Sequence, residues 1–341
     1  MTSAPPLAER LDGLLFFPVT AYGPDGTLDP AAFRAHVRAG LDAGAAAVFA
    51  CCGTGEFHAL TPEEFRDCVT AAVQEAAGRV PVLAGAGYGT ALAVRYARLA
   101  EEAGAVGLLA MPPYLVTADQ AGLLRHYTDV AAATALPVIV YQRDNAVFTP
   151  DTVVALARTP GIIGLKDGLG DLDLLQRMIS AVRSEGRGEV REKARGKVRG
   201  ERQERRQGQE WRQQQEFLYF NGLPTAELTA LAYRGLGVRR YSSAVFAFAP
   251  EIATAFHRAL ADGDDEMVTR LLDGFYRPLV ELRNQGRGYA VSLVKAGVRL
   301  RGTDVGPVRP PLSEPAPEHV KALAALIEQG LALVGAPAGG R

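Results

Sequence analysis

The chain has few of the residues that would mark it as a disulfide-rich or metal-binding protein. Only three of its 341 residues are cysteine, and two of them, Cys51 and Cys52, are adjacent. So small a set does not build a disulfide framework and fits a reducing compartment. The five histidines never fall at the spacing typical of a metal site. We therefore expect a protein that works without a bound metal or other cofactor.

The chain also lacks an excess of charge and a long apolar run. Its 37 basic and 38 acidic residues leave a formal charge of −1, so no global field favours nucleic acid or a membrane surface. Residues 1–12 show no apolar segment behind a basic start, and no stretch approaches the roughly 18 apolar residues needed to span a bilayer. A cytoplasmic protein with a small-molecule partner is expected, with no role for nucleic acid or membrane.

What the chain does have is a regular alternation of short apolar runs and amphipathic segments. This pattern is typical of repeated βα units around a parallel sheet, and a 341-residue chain is long enough for one large barrel. Eight strands are predicted: Leu14–Val19, Ala47–Cys52, Val80–Ala84, Gly107–Met111, Pro137–Tyr141, Ile162–Lys166, Phe217–Phe220 and Arg240–Val245. The expected fold is an α/β (β/α)8 TIM barrel over residues 1–262, with C-terminal helices over 263–341 packed on it.

One segment departs from this pattern. Residues 183–216 consist of Arg, Glu, Lys, Gln and Gly with hardly an aliphatic side chain, a composition that does not bury enough apolar area to offset ordering. We interpret it as an inserted, disordered or loosely helical loop, and a nucleic-acid or partner-binding arm is the alternative. The segment precedes strand seven, so it belongs to the barrel face opposite the active-site loops and should be dispensable for chemistry.

Lys166 is the most informative single residue, because it ends an apolar strand. A buried ammonium without a partner is costly, and a neutral amine in its place can attack a carbonyl carbon. An ion pair with Asp167 or Glu56 is the structural alternative.

Two other strand ends carry candidate chemistry. After strand two, Gly53 and Gly55 allow a tight turn that presents backbone N–H groups to an anion, with the Thr54 hydroxyl as a further donor. A plain strand-to-helix turn would explain the same residues. Tyr141, which ends strand five, has a phenol able to relay a proton, although a tyrosine there can also serve only to plug the barrel. An amine, a phenol and an anion cradle at one barrel mouth favour catalysis.

Together these residues carry a resemblance to a known family. The segments Gly53–Glu56 and Gly164–Asp167, with Tyr141 between them, resemble the dihydrodipicolinate synthase and N-acetylneuraminate lyase superfamily of Schiff-base aldolases and dehydratases. Longer segments are most similar to its decarboxylating branch, the 5-dehydro-4-deoxyglucarate dehydratases: 14–20, 53–57, 166–171, 222–227, 241–246 and 288–297. The resemblance covers nearly the whole chain apart from the insert.

The resemblance implies a role for each matching residue. Lys166 would form the imine, Tyr141 would shuttle protons, and Thr54 with the neighbouring N–H groups, including that of Gly53, would hold the carboxylate beside the carbonyl. The expected reaction converts 5-dehydro-4-deoxy-D-glucarate to 2,5-dioxopentanoate, water and carbon dioxide. The family also implies a homo-oligomer, a tetramer or a dimer. However, Leu115 replaces the second tyrosine of a synthase, and Gly53 replaces the first of its paired threonines, which disfavours the synthase activity.

A sugar diacid needs a second anion site, for which three residues are candidates. Arg143 offers a fork suited to a carboxylate, and Thr225 and Ser243 offer hydroxyls. A surface salt bridge, a helix N-cap and a turn position are their respective structural alternatives. Lys295 is predicted to be an ion-pair partner on a C-terminal helix.

Two other functions are compatible with the same residues. A Schiff-base aldolase or synthase acting on a 2-keto-3-deoxy sugar acid or pyruvate would use the same residues. A catalytically silent barrel that binds a keto acid would be a different class of protein, but it would have little reason to keep both Lys166 and Tyr141.

Overall fold

Eight parallel strands close into a barrel in their order along the chain, each followed by helical structure. The computed structural model describes residues 7–195 and 217–337. The predicted TIM barrel is confirmed, and all eight predicted strands are present. Strands β1 to β8 are Leu15–Phe16, Ala47–Ala50, Val82–Ala86, Gly107–Ala110, Val138–Gln142, Ile162–Asp167, Leu218–Asn221 and Arg240–Ser243.

Some strand ends differ from the sequence prediction for local reasons. β1 is much shorter than predicted: Pro18 lies two residues beyond it, and a proline has no N–H to donate to a ladder. β8 ends at Ser243 because Val245–Ala247 forms a 3-10 turn.

Helices cover the outside of the barrel and form the C-terminal part of the chain. Helices α1 to α13 are Leu7–Arg10, Pro30–Asp42, Pro62–Ala76, Thr90–Glu102, Gln120–Ala132, Pro150–Arg158, Leu172–Arg195, Ala230–Gly235, Pro250–Asp262, Asp265–Leu271, Arg277–Arg283, Tyr289–Leu300 and Pro317–Leu333. A π-helical turn, Leu272–Tyr276, joins α10 to α11. Several starts follow the sequence signals: Thr61 and Glu64 form a capping box at α3, and Thr149 caps α6.

The register of the strands decides which side chains face the barrel interior. The interior is filled mainly by apolar side chains, among them Leu15, Phe17, Phe49, Leu83, Leu109, Ile139, Tyr141, Leu218 and Phe220. Paired residues of neighbouring strands point to the same face, and Lys166 pairs with both Tyr141 and Phe220. Lys166 therefore faces the interior, whereas Asp167, one residue on, faces the helices.

The predicted insert falls partly on described residues. α7 continues to Arg195, so the first part of the segment 183–216 is helical, and residues 196–216 lie outside the described residues. Within the described ranges, no helix is long and apolar enough to cross a membrane.

Candidate active site

Lys166 lies in the barrel interior near the carboxyl end of β6 and is only 6% exposed. Its Nζ lies 3.8 Å from the centre of the Tyr141 ring and 5.7 Å from that of Phe17. The amine donates one hydrogen bond, to the carbonyl oxygen of Gly222 at 3.3 Å. In the part of the chain that the structure describes, no carboxylate oxygen lies within 4.0 Å of this nitrogen. No ion pair therefore competes with a substrate carbonyl for this amine.

The two carboxylates considered as partners for Lys166 are bound elsewhere. Asp167 faces outward, where its oxygens accept hydrogen bonds from Gln142 and Tyr233 and from the N–H groups of Leu169 and Gly170. Glu56 pairs with a different lysine. The ion-pair alternative for Lys166 is therefore wrong.

Tyr141 lies next to Lys166 on β5, and its phenol is aimed at the same carbonyl. Its hydroxyl donates to the oxygen of Gly222 at 2.8 Å, and the residue is 8% exposed. Burial raises the pKa of this phenol, but the positive charges of Lys166 and Arg143 outweigh burial and hold the pKa below its ordinary value. A phenol with a lowered pKa is better matched to proton transfer near neutral pH.

Two glycines leave the space in which this pair sits. A Cβ on Gly222 would lie 2.6 Å from Cγ and 2.8 Å from Nζ of Lys166. A Cβ on Gly168 would lie 2.8 Å from the ring carbon Cε2 of Tyr141. Both distances are far inside van der Waals contact, so glycine is required at each position for the observed placement.

The turn after β2 presents unused donors. The N–H groups of Gly53, Thr54 and Gly55 and the hydroxyl of Thr54 make no hydrogen bond to any described residue. The turn is closed by Glu56 N–H to the carbonyl of Gly53 at 3.2 Å, with Glu56 in the left-handed conformation at φ 54°. Such a run of unpaired N–H groups suits a carboxylate.

The turn is held from behind by a buried ion pair. Lys295 Nζ lies 2.8 Å from Glu56 Oε1, and both side chains are fully buried. The other carboxylate oxygen of Glu56 accepts the N–H of Arg309 at 2.9 Å, and the Lys295 ammonium lies 4.2 Å from the centre of the Tyr22 ring. The prediction that Lys295 is an ion-pair partner is confirmed. Glu56 thus links the β2 turn to the C-terminal part of the chain.

The three residues considered for a second anion site lie in different surroundings. Arg143 is partly exposed, pairs with Asp144 at 3.1 Å, and is close enough to Tyr141 to affect its pKa. Thr225 follows β7, and its hydroxyl does not cap the helical turn that begins there. Instead it accepts a hydrogen bond from Nη1 of Arg283 at 2.7 Å. Ser243 is fully buried on the outer face of β8, where its hydroxyl donates to Glu227 at 2.6 Å. Arg143 therefore lies near Lys166 and Tyr141, whereas Ser243 lies on the other face of the sheet.

Two polar residues near the barrel mouth, Ser242 and Arg283, were not among the predicted site residues. Ser242 pairs with the interior residue Leu15, so it faces the interior, whereas Ser243 pairs with the outward Phe16. The sequence alone does not show which of the two serines faces the interior, because that depends on the register of β8 against β1. Arg283 reaches the mouth from the end of α11, and no pattern in the sequence indicates that contact.

The thiols nearby are poor candidates for a nucleophile. Cys52 is buried beside the interior cluster, and burial raises the pKa of its thiol to about 12. Among the described residues, no group of three His, Cys, Asp or Glu side chains is placed to hold a metal ion.

Known proteins resemble this chain over almost its whole length. The sequence model of the Dihydrodipicolinate synthetase family matches residues 10–186 and 202–330. A protein of Streptomyces coelicolor named "Probable 5-dehydro-4-deoxyglucarate dehydratase 1" is 71% identical over 99% of this chain and 100% of its own length. A "Probable 5-dehydro-4-deoxyglucarate dehydratase" of Bradyrhizobium diazoefficiens is 44% identical over 93% of this chain and 91% of its own.

Solved structures show the same fold at lower sequence identity. Dihydrodipicolinate synthase from Bacillus clausii superposes with a TM-score of 0.79 at 23% identity, covering 94% of this chain and 98% of that chain. An Escherichia coli prophage protein of the dihydrodipicolinic acid synthase family, solved with pyruvate, gives a TM-score of 0.76 at 23% identity over 93% of this chain and 98% of that chain.

Proposed function

The chain belongs to the dihydrodipicolinate synthetase family, and within it we propose that the protein is a lyase that dehydrates and decarboxylates 5-dehydro-4-deoxy-D-glucarate through an imine at Lys166. One structural observation carries the proposal: the buried Lys166 amine and the Tyr141 phenol converge on the Gly222 carbonyl. The names of relatives at 71% and 44% identity support this particular substrate.

Imine formation is the first step that these residues serve. Lys166 gives up a proton and then adds as a free amine to the keto carbon of the substrate, and the carbonyl oxygen leaves as water after protonation. Tyr141, hydrogen-bonded beside the amine, is the group that moves protons between nitrogen and oxygen. The carboxylate next to the keto carbon would accept hydrogen bonds from the unpaired N–H groups of Gly53 and Thr54 and from the Thr54 hydroxyl.

Elimination follows from the electronics of the protonated imine. The imine withdraws electrons and acidifies the neighbouring methylene, so a proton leaves to Tyr141 and an enamine forms. The enamine electrons then expel the hydroxyl on the following carbon as water, with a proton from the phenol. The product of this step is an imine conjugated with a carbon–carbon double bond.

Decarboxylation uses the same conjugated system. When the far carboxylate leaves as carbon dioxide, its bonding electron pair enters the chain of double bonds that ends at the imine nitrogen. The carbon that held it keeps its hydroxyl as an enol, which tautomerises to an aldehyde. The nitrogen is then part of an enamine, and protonation of the neighbouring carbon restores the imine. Hydrolysis of that imine frees Lys166 and releases 2,5-dioxopentanoate.

An aldolase or synthase would share the imine and differ in its product. The test is to incubate the protein with 5-dehydro-4-deoxy-D-glucarate and measure carbon dioxide and pyruvate separately. The proposal predicts one carbon dioxide per substrate consumed and no pyruvate. Release of pyruvate would instead indicate aldol cleavage, and ligand-induced stabilisation without turnover would indicate a silent binding barrel.

We further propose that the protein assembles as a homo-oligomer. The loop after β4 places three large side chains at the surface, Tyr114, Leu115 and Val116, which are 63%, 83% and 56% exposed. An exposed apolar tip of this kind is typical of an interface. A Leu115→Glu substitution should lower the mass measured by sedimentation equilibrium, and an unchanged mass would place the interface elsewhere.

A further inference from the structure

The guanidinium of Arg283 is bound to a hydroxyl, not to an acid. Its Nη1 donates to Thr225 Oγ1 at 2.7 Å, and its Nη2 reaches the side-chain oxygen of Asn284 at 3.5 Å. Among residues 7–195 and 217–337, no carboxylate lies within 4.0 Å of it. Burial lowers the pKa of Arg283, which is the direction expected of a cation that has lost water without gaining an anion.

The position of this contact ties it to the barrel mouth. Thr225 lies in the loop after β7, three residues beyond Gly222, whose carbonyl binds both Lys166 and Tyr141. Three residues span at most about 10 Å. Arg283 and Thr225 also line one small cavity with Val245 of the loop after β8. The loops after strands form the active-site face of a barrel, so Arg283 carries an unpaired positive charge to that face.

We propose that Arg283, positioned by Thr225, binds the far carboxylate of the sugar diacid, which is the carboxylate released as carbon dioxide. The inference rests on the proposed function, because only that reaction gives the substrate a second carboxylate. An arginine fork suits a carboxylate, since it donates two parallel hydrogen bonds. Arg143 is less suited because Asp144 already pairs with it and its charge acts on Tyr141.

An arginine bound to the far carboxylate distinguishes the substrate from the product. The substrate has two carboxylates, and 2,5-dioxopentanoate retains only the one beside the keto carbon. Arg283 therefore contacts a group that the substrate has and the product lacks, so it favours binding of substrate over product.

The test compares Arg283→Met with wild type for three ligands. KM for 5-dehydro-4-deoxy-D-glucarate should rise about tenfold to a hundredfold, the effect of losing a charge-assisted hydrogen bond. The inhibition constant of 2,5-dioxopentanoate and the yield of the borohydride-trapped pyruvate adduct on Lys166 should stay within about twofold. An unchanged KM, or an equal loss for substrate and product, would overturn the assignment.

Two further variants and one assay of the wild type serve as controls. Arg287→Met removes the same charge from an exposed position four residues away and should leave KM unchanged. Arg283→Lys, the variant to use if the methionine variant does not fold, should raise KM for the diacid because it loses the fork, again without affecting the product. Failure of the proposed function would appear separately, as wild-type protein that releases no carbon dioxide.

Discussion

The Nζ of Lys166 lies 3.8 Å from the centre of the Tyr141 ring, and both side chains donate to one acceptor. That acceptor, the carbonyl of Gly222, comes from the residue that follows β7, so the ends of three consecutive strands, β5, β6 and β7, define the reacting centre.

Arg143 should tune the ionisation of Tyr141. The pKa of the phenol is lowered by Lys166 and Arg143 against the opposing effect of burial. Removing one positive charge with Arg143→Met should therefore move the pKa of Tyr141 upward. The measurement is an ultraviolet titration of phenolate, with Tyr141→Phe subtracted in each background. A downward shift, or none, would show that Arg143 does not act on the phenol.

Gly222 should be intolerant of a side chain. An alanine Cβ there would lie 2.6 Å from Cγ of Lys166, so Gly222→Ala should displace the amine and abolish turnover. Gly235→Ala is the matched control, because no atom lies within 4 Å of the Cβ position and the residue ends α8. The control should keep full activity and gain up to about 1 kcal/mol of stability. Full activity in Gly222→Ala would contradict the observed packing.

The Glu56–Lys295 pair should be necessary for both stability and the β2 turn. Removing one partner of a buried pair leaves an uncompensated charge, so Lys295→Met should lower the free energy of unfolding by about 3–5 kcal/mol. The double variant Glu56→Gln, Lys295→Met should lose less than the sum of the single variants, because neither charge remains buried alone. Chemical denaturation of the four proteins completes the cycle. Additive losses would mean that the pair is not coupled.

Glu227 should make stability depend on pH. Burial raises its pKa from 4.5 to about 7, partly opposed by the hydrogen bond from Ser243. The folded state then binds the proton more tightly than the unfolded state, so the stability from this group is complete below pH 4.5 and is lost as pH rises through 7. Glu227→Gln cannot ionise and keeps an acceptor for Ser243.

The free energy of unfolding of Glu227→Gln, measured relative to wild type, should therefore increase between pH 4.5 and pH 8, by about 3 kcal/mol in all. Denaturant titrations at several pH values give the comparison. A constant difference between the two proteins would show that the carboxyl does not titrate in this range.

The sequence predicted the parts of the site that depend on local pattern. The eight strands follow from apolar runs bounded by turn residues, and the ends of β5 and β6 place Tyr141 and Lys166 side by side because parallel neighbours share a register. The ion pair at Lys295 was predictable in kind, since a buried lysine on an apolar helix needs a partner.

The remaining parts depend on relations between distant segments. Ser242 and Ser243 are equivalent in the sequence, and only the register of β8 against β1 shows that the first faces the interior. The contact of Arg283 with Thr225 joins residues 58 apart and arises from the packing of α11 on the barrel. Likewise, nothing local shows that Glu56 would bind Lys295 instead of Lys166.

The most direct test of the central claim is covalent trapping of the imine. Wild-type protein is incubated with 5-dehydro-4-deoxy-D-glucarate or pyruvate, reduced with borohydride, digested and mapped by mass spectrometry, with Lys321→Met, which removes an exposed lysine, as the matched control and Lys166→Arg as the blank. The account predicts a reduced adduct on Lys166 in the wild type and in Lys321→Met, and none in Lys166→Arg. An unmodified Lys166 in protein that turns over substrate would contradict it.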